Sequence, residues 1–259
     1  MRYISEGSID LIITSPPYAN KRGHDYNTVS YDRYVEYFLG FSALFYRLLK
    51  DTGSFVLNIK EGVDGIERST YVYELALALR NRGWLWIDEY IWHKKTTFPG
   101  RRKYRLKDAF ERIYHFAKSS KFKFNIDNVK VPVKESTLKR VNNLGNRDFV
   151  HTYSNTNSKM SRRVANMIGM ELVMPSNVLY ISPVTKNLGH SAAYPIELVD
   201  FFIKLMTDEG DIVLDPFGGS GTTAISAINN GRRCILIEKE KKYFDLAINR
   251  VKREVGLLI

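Results

Sequence analysis

The chain has 259 residues, with 39 Lys+Arg against 28 Asp+Glu and a net charge of +11. Hydrophobic residues make up 44% and charged residues 26%, a globular balance that excludes a disordered or fibrous chain and allows one substantial domain plus an insertion. No apolar run approaches the roughly 18 residues of a membrane helix, the amino terminus MRYISEGSID lacks a signal core, and the single cysteine, Cys234, excludes an internal disulfide and a cysteine-based metal cluster, so a cytoplasmic protein is expected.

Ile9 to Thr14 (IDLIIT) reads as a buried strand, and it runs into Thr14-Ser15-Pro16-Pro17-Tyr18. Two prolines fix φ and remove two backbone donors, which stiffens the turn and leaves its carbonyls facing an acceptor-poor pocket. Such a turn can orient an exocyclic amine. The Ser15 hydroxyl and the Pro16 carbonyl would hold the N–H bonds, and Tyr18 would stack on a base drawn out of its duplex. By itself the tetrapeptide reads first as an ordinary Pro-Pro strand terminator.

Tyr34, Phe38, Phe41, Phe45 and Leu48 then recur at helical spacing up to a stop at Gly53. Ser54 to Ile59 reads as a strand, Tyr71 to Asn81 as a helix ended by Gly83, and Leu85 to Trp92 as a strand; the aromatic and aliphatic positions are core. Strands alternating with helices indicate an α/β sheet. After Lys94 the pattern loosens, recovers as a strand at Glu111 to Phe116, and loosens again to about Pro175, with a stretch rich in Asn, Ser and Thr from Ser136 to Ser161.

Residues 101 to 175 hold 17 Lys+Arg and 6 Asp+Glu, so this segment carries the whole positive excess. A neutral body with a basic insertion is the footprint of a polyanion-binding protein, although a merely solvated basic surface has the same composition. The candidate phosphate contacts are Arg101, Arg102, Lys103, Arg105, Lys139, Arg140, Arg162 and Arg163, with Lys94 and Lys95 at the end of the preceding strand.

Towards the carboxyl end, Ile196 to Met206 is an amphipathic helix, Asp211 to Asp215 (DIVLD) a strand, Gly221 to Asn229 a helix, Arg233 to Glu238 a strand and Glu240 to Arg253 a closing helix. The turn Asp215-Pro216-Phe217-Gly218-Gly219-Ser220-Gly221-Thr222-Thr223 brings a strand tip tightly into a helix, where glycine lets a ligand approach the backbone. It lacks the lysine of a phosphate-binding P-loop, which argues against nucleoside triphosphates. Glu238, at the tip of the next strand, stands where an acid accepts hydrogen bonds from a ribose diol. A ribose-bearing cofactor with few or no phosphates fits, S-adenosylmethionine being the obvious one, although a tight αβ connection that binds nothing has the same glycines.

Taken together, TSPPY first, a basic region next, then HSAAYP, DPFGGSGTT and LIEKE, the sequence resembles the β-class amino-methyltransferases of bacterial and archaeal restriction-modification systems. The resemblance implies a Rossmann-like α/β sheet of the S-adenosylmethionine-dependent methyltransferase type with circularly permuted motif order. It also implies a division into residues 1–98 (catalytic half), 99–176 (inserted target-recognition region) and 177–259 (cofactor half). Catalytic Ser15, Pro16, Pro17 and Tyr18 would act on duplex DNA. His190, Ser191, Ala192 and Pro195 would line the methionine end of the cofactor, Asp215 to Thr223 would wrap it, and Glu238 would hold its ribose. The resemblance further brings a cognate restriction endonuclease as partner and a nucleoid-associated location.

Ser at position 15, where adenine-modifying relatives more often carry Asp or Asn, points to the 4-amino group of cytosine, with adenine's 6-amino group as the near alternative. Cys234 lies in RCILIE and reads as a small buried hydrophobe, which argues against carbon-5 methylation through a thiolate. The five histidines, His24, His93, His115, His151 and His190, show no metal-binding spacing, so no metal is expected. Family members usually carry a further strand ahead of the catalytic one, with an acid for the cofactor's adenine; only nine residues precede Asp10, and no residue is assigned that role. An inactive DNA-binding specificity module and an RNA amine methyltransferase are the competing readings. Oligomeric state leaves no signal.

Overall fold

The computed structural model describes residues 3–20, 29–97, 103–142, 169–184 and 194–256. Chain contacts separate two units, residues 1–125 with 177–259, and residues 126–176. In chain order the first unit carries β1 (Ile9–Thr14), α1 (Tyr31–Leu48), β2 (Leu49–Ile59), a small hairpin of β3 (Val63–Asp64) and β4 (Glu67–Arg68), α2 (Tyr71–Asn81), β5 (Leu85–Lys94) and β6 (Phe110–Ala117). The second unit holds a 3-10 turn at Ile126–Val129, β7 (Val131–Pro132), α3 (Glu135–Asn142) and β8 (Leu172–Val173), with β7 and β8 paired antiparallel. The first unit then resumes with β9 (Val178–Ile181), α4 (Ile196–Met206), β10 (Ile212–Asp215), α5 (Thr222–Asn229), β11 (Arg233–Leu236) and α6 (Lys241–Val255).

Seven strands form one sheet in the order β11-β10-β1-β2-β6-β5-β9. Neighbours are parallel from β11 to β2 and again between β5 and β9, while β6 runs against both of its neighbours. Side chains of a strand alternate between faces, and every residue of β1 is buried, so both faces of the sheet centre are covered. Helix α1 supplies much of that cover: Tyr34, Phe38, Phe45 and Leu48 lie on its buried stripe, and Phe38 and Phe45 meet Phe55 of β2, which in turn meets Phe116 of β6 and Trp84. Trp84 keeps its indole N–H satisfied by donating to Ser42 Oγ at 2.8 Å. Helices α1 and α2 pack together, and α5 packs against both α4 and α6.

The sheet differs from the sequence reading in three places. Strand β2 begins at Leu49, not Ser54, because Gly53 lies inside the strand: a Cβ there would come within 2.7 Å of the Leu49 side chain and 2.9 Å of the Asp10 carbonyl. The absence of a side chain, and not a helix stop, is what this glycine supplies. Strand β6, within residues 99–176, stands between β2 and β5 as a largely buried strand of the sheet. Strand β9 has no advance signal, since four residues are too short for alternation to register.

One consequence matters for function. The carboxyl ends of β1, β10, β2 and β5 and the amino end of the reversed β6 all meet at one edge of the sheet. Residues from five strands therefore converge there.

Candidate active site

Strands β1 and β10 are neighbours, with Leu11 opposite Val213 and Ile12 opposite Leu214, so the two sequence-predicted turns open side by side. Asp215, the last residue of β10, is 1% exposed and joins them. Its Oδ1 accepts from Thr14 Oγ1 at 2.7 Å and from the Phe217 backbone N–H at 3.1 Å. Its Oδ2 accepts from Thr223 Oγ1 at 2.6 Å and from the Tyr194 hydroxyl at 2.8 Å. Burial pushes the Asp215 carboxyl upward, against these hydrogen bonds that favour its charged form. Thr14 ends β1, so the carboxylate ties the strand bearing Ser15 to Tyr18 directly to the glycine turn.

That turn is held from three sides. Gly219 and Gly221 take φ of +50° and +81°, the left-handed region that glycine enters without strain. A Cβ at Gly218 would stand 2.3 Å from the Leu236 side chain, so strand β11 presses directly on the turn. Arg250 of α6, itself buried, donates through Nη1 to the Ser220 carbonyl at 2.8 Å, to Ser220 Oγ at 2.9 Å and to Thr222 Oγ1 at 3.3 Å. Glu238, just beyond β11, accepts the Gly219 N–H on Oε2 at 2.8 Å and the Glu240 N–H on Oε1 at 2.9 Å. Asp215 to Thr223 contains no Lys or Arg, and the Arg250 guanidinium is committed to the turn's own oxygens. A turn that itself carries no Lys or Arg, with an acid at its edge, suits a ribose-bearing ligand without phosphates.

On the other side, the Pro17 carbonyl accepts from Tyr34 OH of α1 at 2.8 Å, which anchors the Pro-Pro turn. Ser15 Oγ lies 3.2 Å from Tyr18 OH, and Tyr18 donates to Glu111 Oε2 at 2.7 Å. Asn58 Nδ2 reaches Glu111 Oε2 at 3.1 Å, Tyr18 OH at 3.0 Å and Ser15 Oγ at 3.3 Å. Lys94 Nζ closes the cluster on Glu111 Oε1 at 2.6 Å. Burial raises the Glu111 carboxyl, but the Lys94 charge and the donors around it outweigh that, and the group lies below the usual carboxylate range. Burial, and then the Glu111 charge, push the Tyr18 hydroxyl well up, so it stays protonated.

Lys94, expected from the sequence at a phosphate, has its ammonium paired with the buried carboxylate of Glu111. Lys95 and Lys103 are exposed and Arg105 is half-buried. Lys139 on α3 pairs with Glu135 at 2.7 Å, and the backbone of Arg140 continues the same helix. Pro195 caps α4. Arg101, Arg102, Arg162, Arg163, His190, Ser191 and Ala192 lie outside the described residues. Cys234 sits on β11 with its thiol pushed up by burial. The sequence reading left Asn58, Glu111 and Arg250 unmarked and covered Tyr194 only within HSAAYP, as part of the cofactor lining. Asn58 carried a signal, a lone amide in the otherwise apolar end of its strand; Glu111 and Arg250 stood at ordinary solvent-type positions of their elements.

A family model described as DNA methylase, of N6/N4 type, matches residues 9–249. The type II methyltransferase M.PvuII of Proteus hauseri is 27% identical over 91% of this chain and 76% of its own. M.HpaI of Haemophilus parainfluenzae, another type II methyltransferase, is 30% identical over 98% of this chain and 71% of its own. The solved PvuII DNA methyltransferase, titled cytosine-N4-specific, superimposes with a TM-score of 0.72 at 26% identity, over 96% of this chain and 81% of that one. The M1.HpyAVI complex with S-adenosylmethionine gives 0.56 at 25% identity, over 94% and 89%.

Proposed function

The chain belongs to the N6/N4 DNA methylase family, and from that premise we propose that it moves the methyl group of S-adenosylmethionine to the 4-amino group of a cytosine flipped out of duplex DNA at a specific sequence. The observation that supports the reading is the pairing of β1 with β10, locked by Thr14 and Asp215, which sets the Ser15–Tyr18 turn beside the Gly218–Thr223 turn. The donor set fits the cofactor. Glu238 has acceptor capacity beyond its two backbone partners for a ribose diol, and the turn it borders, Asp215 to Thr223, carries no Lys or Arg. When bound, S-adenosylmethionine supplies an activated methyl on sulfur, and S-adenosylhomocysteine is the product.

The chain's own groups then align and exclude. Ser15 Oγ and the Pro16 carbonyl take the two N–H bonds of the amine, which turns its lone pair toward the methyl, and Tyr18 stacks on the base. Pro195 with His190, Ser191 and Ala192 lines the methionine end. No covalent enzyme intermediate is needed, because the amine attacks directly and afterwards loses one proton. The target-recognition region falls within residues 99–176, outside the sheet strand β6, with Lys95, Arg101, Arg102, Lys103 and Arg105 on phosphates. Cytosine is supported by Ser15 and by the cytosine-N4-specific neighbour. The type II relatives support protection of DNA against a cognate endonuclease.

Incubation with methyl-labelled S-adenosylmethionine and bacterial genomic DNA, followed by digestion to nucleosides, tests the reading. Label is expected in 4-methyl-deoxycytidine. Label in 6-methyl-deoxyadenosine would keep the transfer and overturn the base; no label, with no cofactor binding, would overturn the enzyme.

A further inference from the structure

The polar cluster beneath the catalytic turn has hydrogen-bond directions fixed by one charge. Glu111 is 7% exposed and ion-paired with Lys94 at 2.6 Å, so its carboxylate can only accept. Tyr18 has a single proton and gives it to Glu111. In the 3.2 Å contact between the two hydroxyls, Ser15 must therefore be the donor and the tyrosine oxygen the acceptor. Asn58 obeys the same constraint: turned the other way, its amide oxygen would face a carboxylate oxygen at 3.1 Å. The amide accordingly presents Nδ2, and its Oδ1 is left buried with no hydrogen-bond partner among the described residues. A buried acceptor left unmet is unfavourable, so the orientation is imposed by the stronger demand of Glu111.

Ser15 is the end of this chain of donors. Its proton points to Tyr18, its other contact among the described residues is the long one from Asn58 at 3.3 Å, and beside these its oxygen has a lone pair to offer. We propose that the Lys94–Glu111 pair sets the polarity of the Ser15 hydroxyl, fixing it as a hydrogen-bond acceptor toward the target base, so that the site takes bases presenting an N–H there and rejects bases presenting a carbonyl. An exocyclic amine donates to that lone pair; a carbonyl at the same position sets oxygen against oxygen. Sites that satisfy one hydrogen-bond polarity discriminate sharply against the other, because the mismatch leaves buried groups unpaired. Glu111 and Lys94 are positioning residues in this scheme, acting through Tyr18 and Ser15. The inference rests on the amino-methyltransferase reading.

The test exploits Lys94. In Glu111→Gln the ammonium claims the amide oxygen, which leaves the amide N–H₂ facing Tyr18 and reverses the chain: the tyrosine proton turns to Ser15, and the serine proton turns outward. In Lys94→Met with Glu111→Gln the amide is free to turn over and restore the original direction. The full chain is titrated, with S-adenosylhomocysteine present, against duplexes whose target position is unpaired opposite an abasic site and holds either the unmodified amino base that genomic labelling identifies as the target, cytosine or adenine, or its oxo counterpart, uracil or hypoxanthine. Unpaired targets equalise the energy of flipping.

Wild type is expected to prefer the amino base by about tenfold or more, since the oxo base reverses hydrogen-bond polarity at the exocyclic position as well as at the neighbouring ring nitrogen. Glu111→Gln should reduce that preference to near unity or invert it, with unchanged affinity for a duplex abasic at the target position, and the double variant should recover a preference. Tyr18→Phe, which removes the acceptor of the serine proton, should lose it as well. A wild type with no preference overturns the proposal. So does an intact preference in Glu111→Gln or, should that variant not fold, in Tyr18→Phe. Failure of wild type to methylate any DNA would instead overturn the enzymatic reading.

Discussion

Arg250 offers the sharpest probe of how the cofactor turn is held. Replacing it by Met keeps much of the side-chain volume within α6 and removes the guanidinium, so unmet acceptors dominate the loss and a cavity does not. Two donations to Ser220, at 2.8 and 2.9 Å, are short and come from a charge, and hydrogen bonds of that kind contribute about 1.5 to 3 kcal/mol each. The 3.3 Å contact to Thr222 adds little. Glu254, the ion partner at 3.2 Å, has a side chain 33% exposed and is resolvated when released, so that pair contributes under about 1 kcal/mol. Unfolding in urea should then show Arg250→Met destabilised by roughly 2 to 4 kcal/mol, after allowance for partial relaxation around Ser220. Calorimetric titration of the folded variant should show S-adenosylmethionine bound about tenfold more weakly, the equivalent of about 1.4 kcal/mol, because Ser220 lies in the turn proposed to wrap it. Arg250→Lys, with one cationic donor group on a flexible stem, should fall between the two. A stability loss below about 0.5 kcal/mol, within the range of an ordinary surface substitution, combined with unchanged cofactor affinity would refute the reasoning.

Further outcomes follow from other parts of the molecule. His115 is fully buried against Ser54 and Phe122, and burial pushes its imidazole down to about 4. The unfolded chain, with an ordinary value near 6.5, takes up the proton first, so stability contributed by neutral His115 is complete above about pH 6.5 and is lost as pH falls toward about 4, by roughly 3 kcal/mol in full. Urea unfolding of wild type and His115→Gln between pH 7 and pH 4 should show the variant with the shallower acid slope; equal slopes would contradict the burial argument. Gly218→Ala drives a methyl into the Leu236 side chain, at 2.3 Å from its Cγ, and should weaken S-adenosylmethionine binding in titration while leaving binding to duplex DNA intact. Joint substitution of Arg101, Arg102 and Lys103 by Ala should flatten the slope of log DNA affinity against log salt by up to about 3 units if all three meet phosphates; an unchanged slope would move the DNA face elsewhere.

Much of the site was legible from local chemistry. A strand ending in Ser15-Pro16-Pro17-Tyr18, a strand ending in Asp215 and running into Gly218, Gly219 and Gly221, and an acid two residues past a third strand are statements about nearest neighbours. Backbone strain, the loss of donors at proline and the alternation of apolar residues are all decided within a few positions. The same locality located α1, α2, α4, α5 and α6 by their buried stripes, and it failed at β9 and at the start of β2, where a strand is too short or a glycine has two meanings.

What lies beyond a few positions was settled only by the way the strands assemble. Thr14 and Asp215 are 201 residues apart, and their hydrogen bond exists because β1 and β10 pair in parallel. Glu111 reaches Asn58 and Tyr18 because β6 enters the sheet reversed beside β2, so that the start of one strand meets the end of the other. Lys94 follows, since β5 pairs with β6 and brings its last residue to the same edge, where it is the partner of a buried acid. Arg250, at the far end of the chain, reads as one more cation on a closing helix until that helix is laid against the glycine turn. Local sequence thus chose the chemical groups and the turns that carry them. Strand order chose which groups touch, because a charge or hydrogen bond takes its meaning from neighbours in space, and neighbours brought together by sheet pairing leave no periodic mark along the chain.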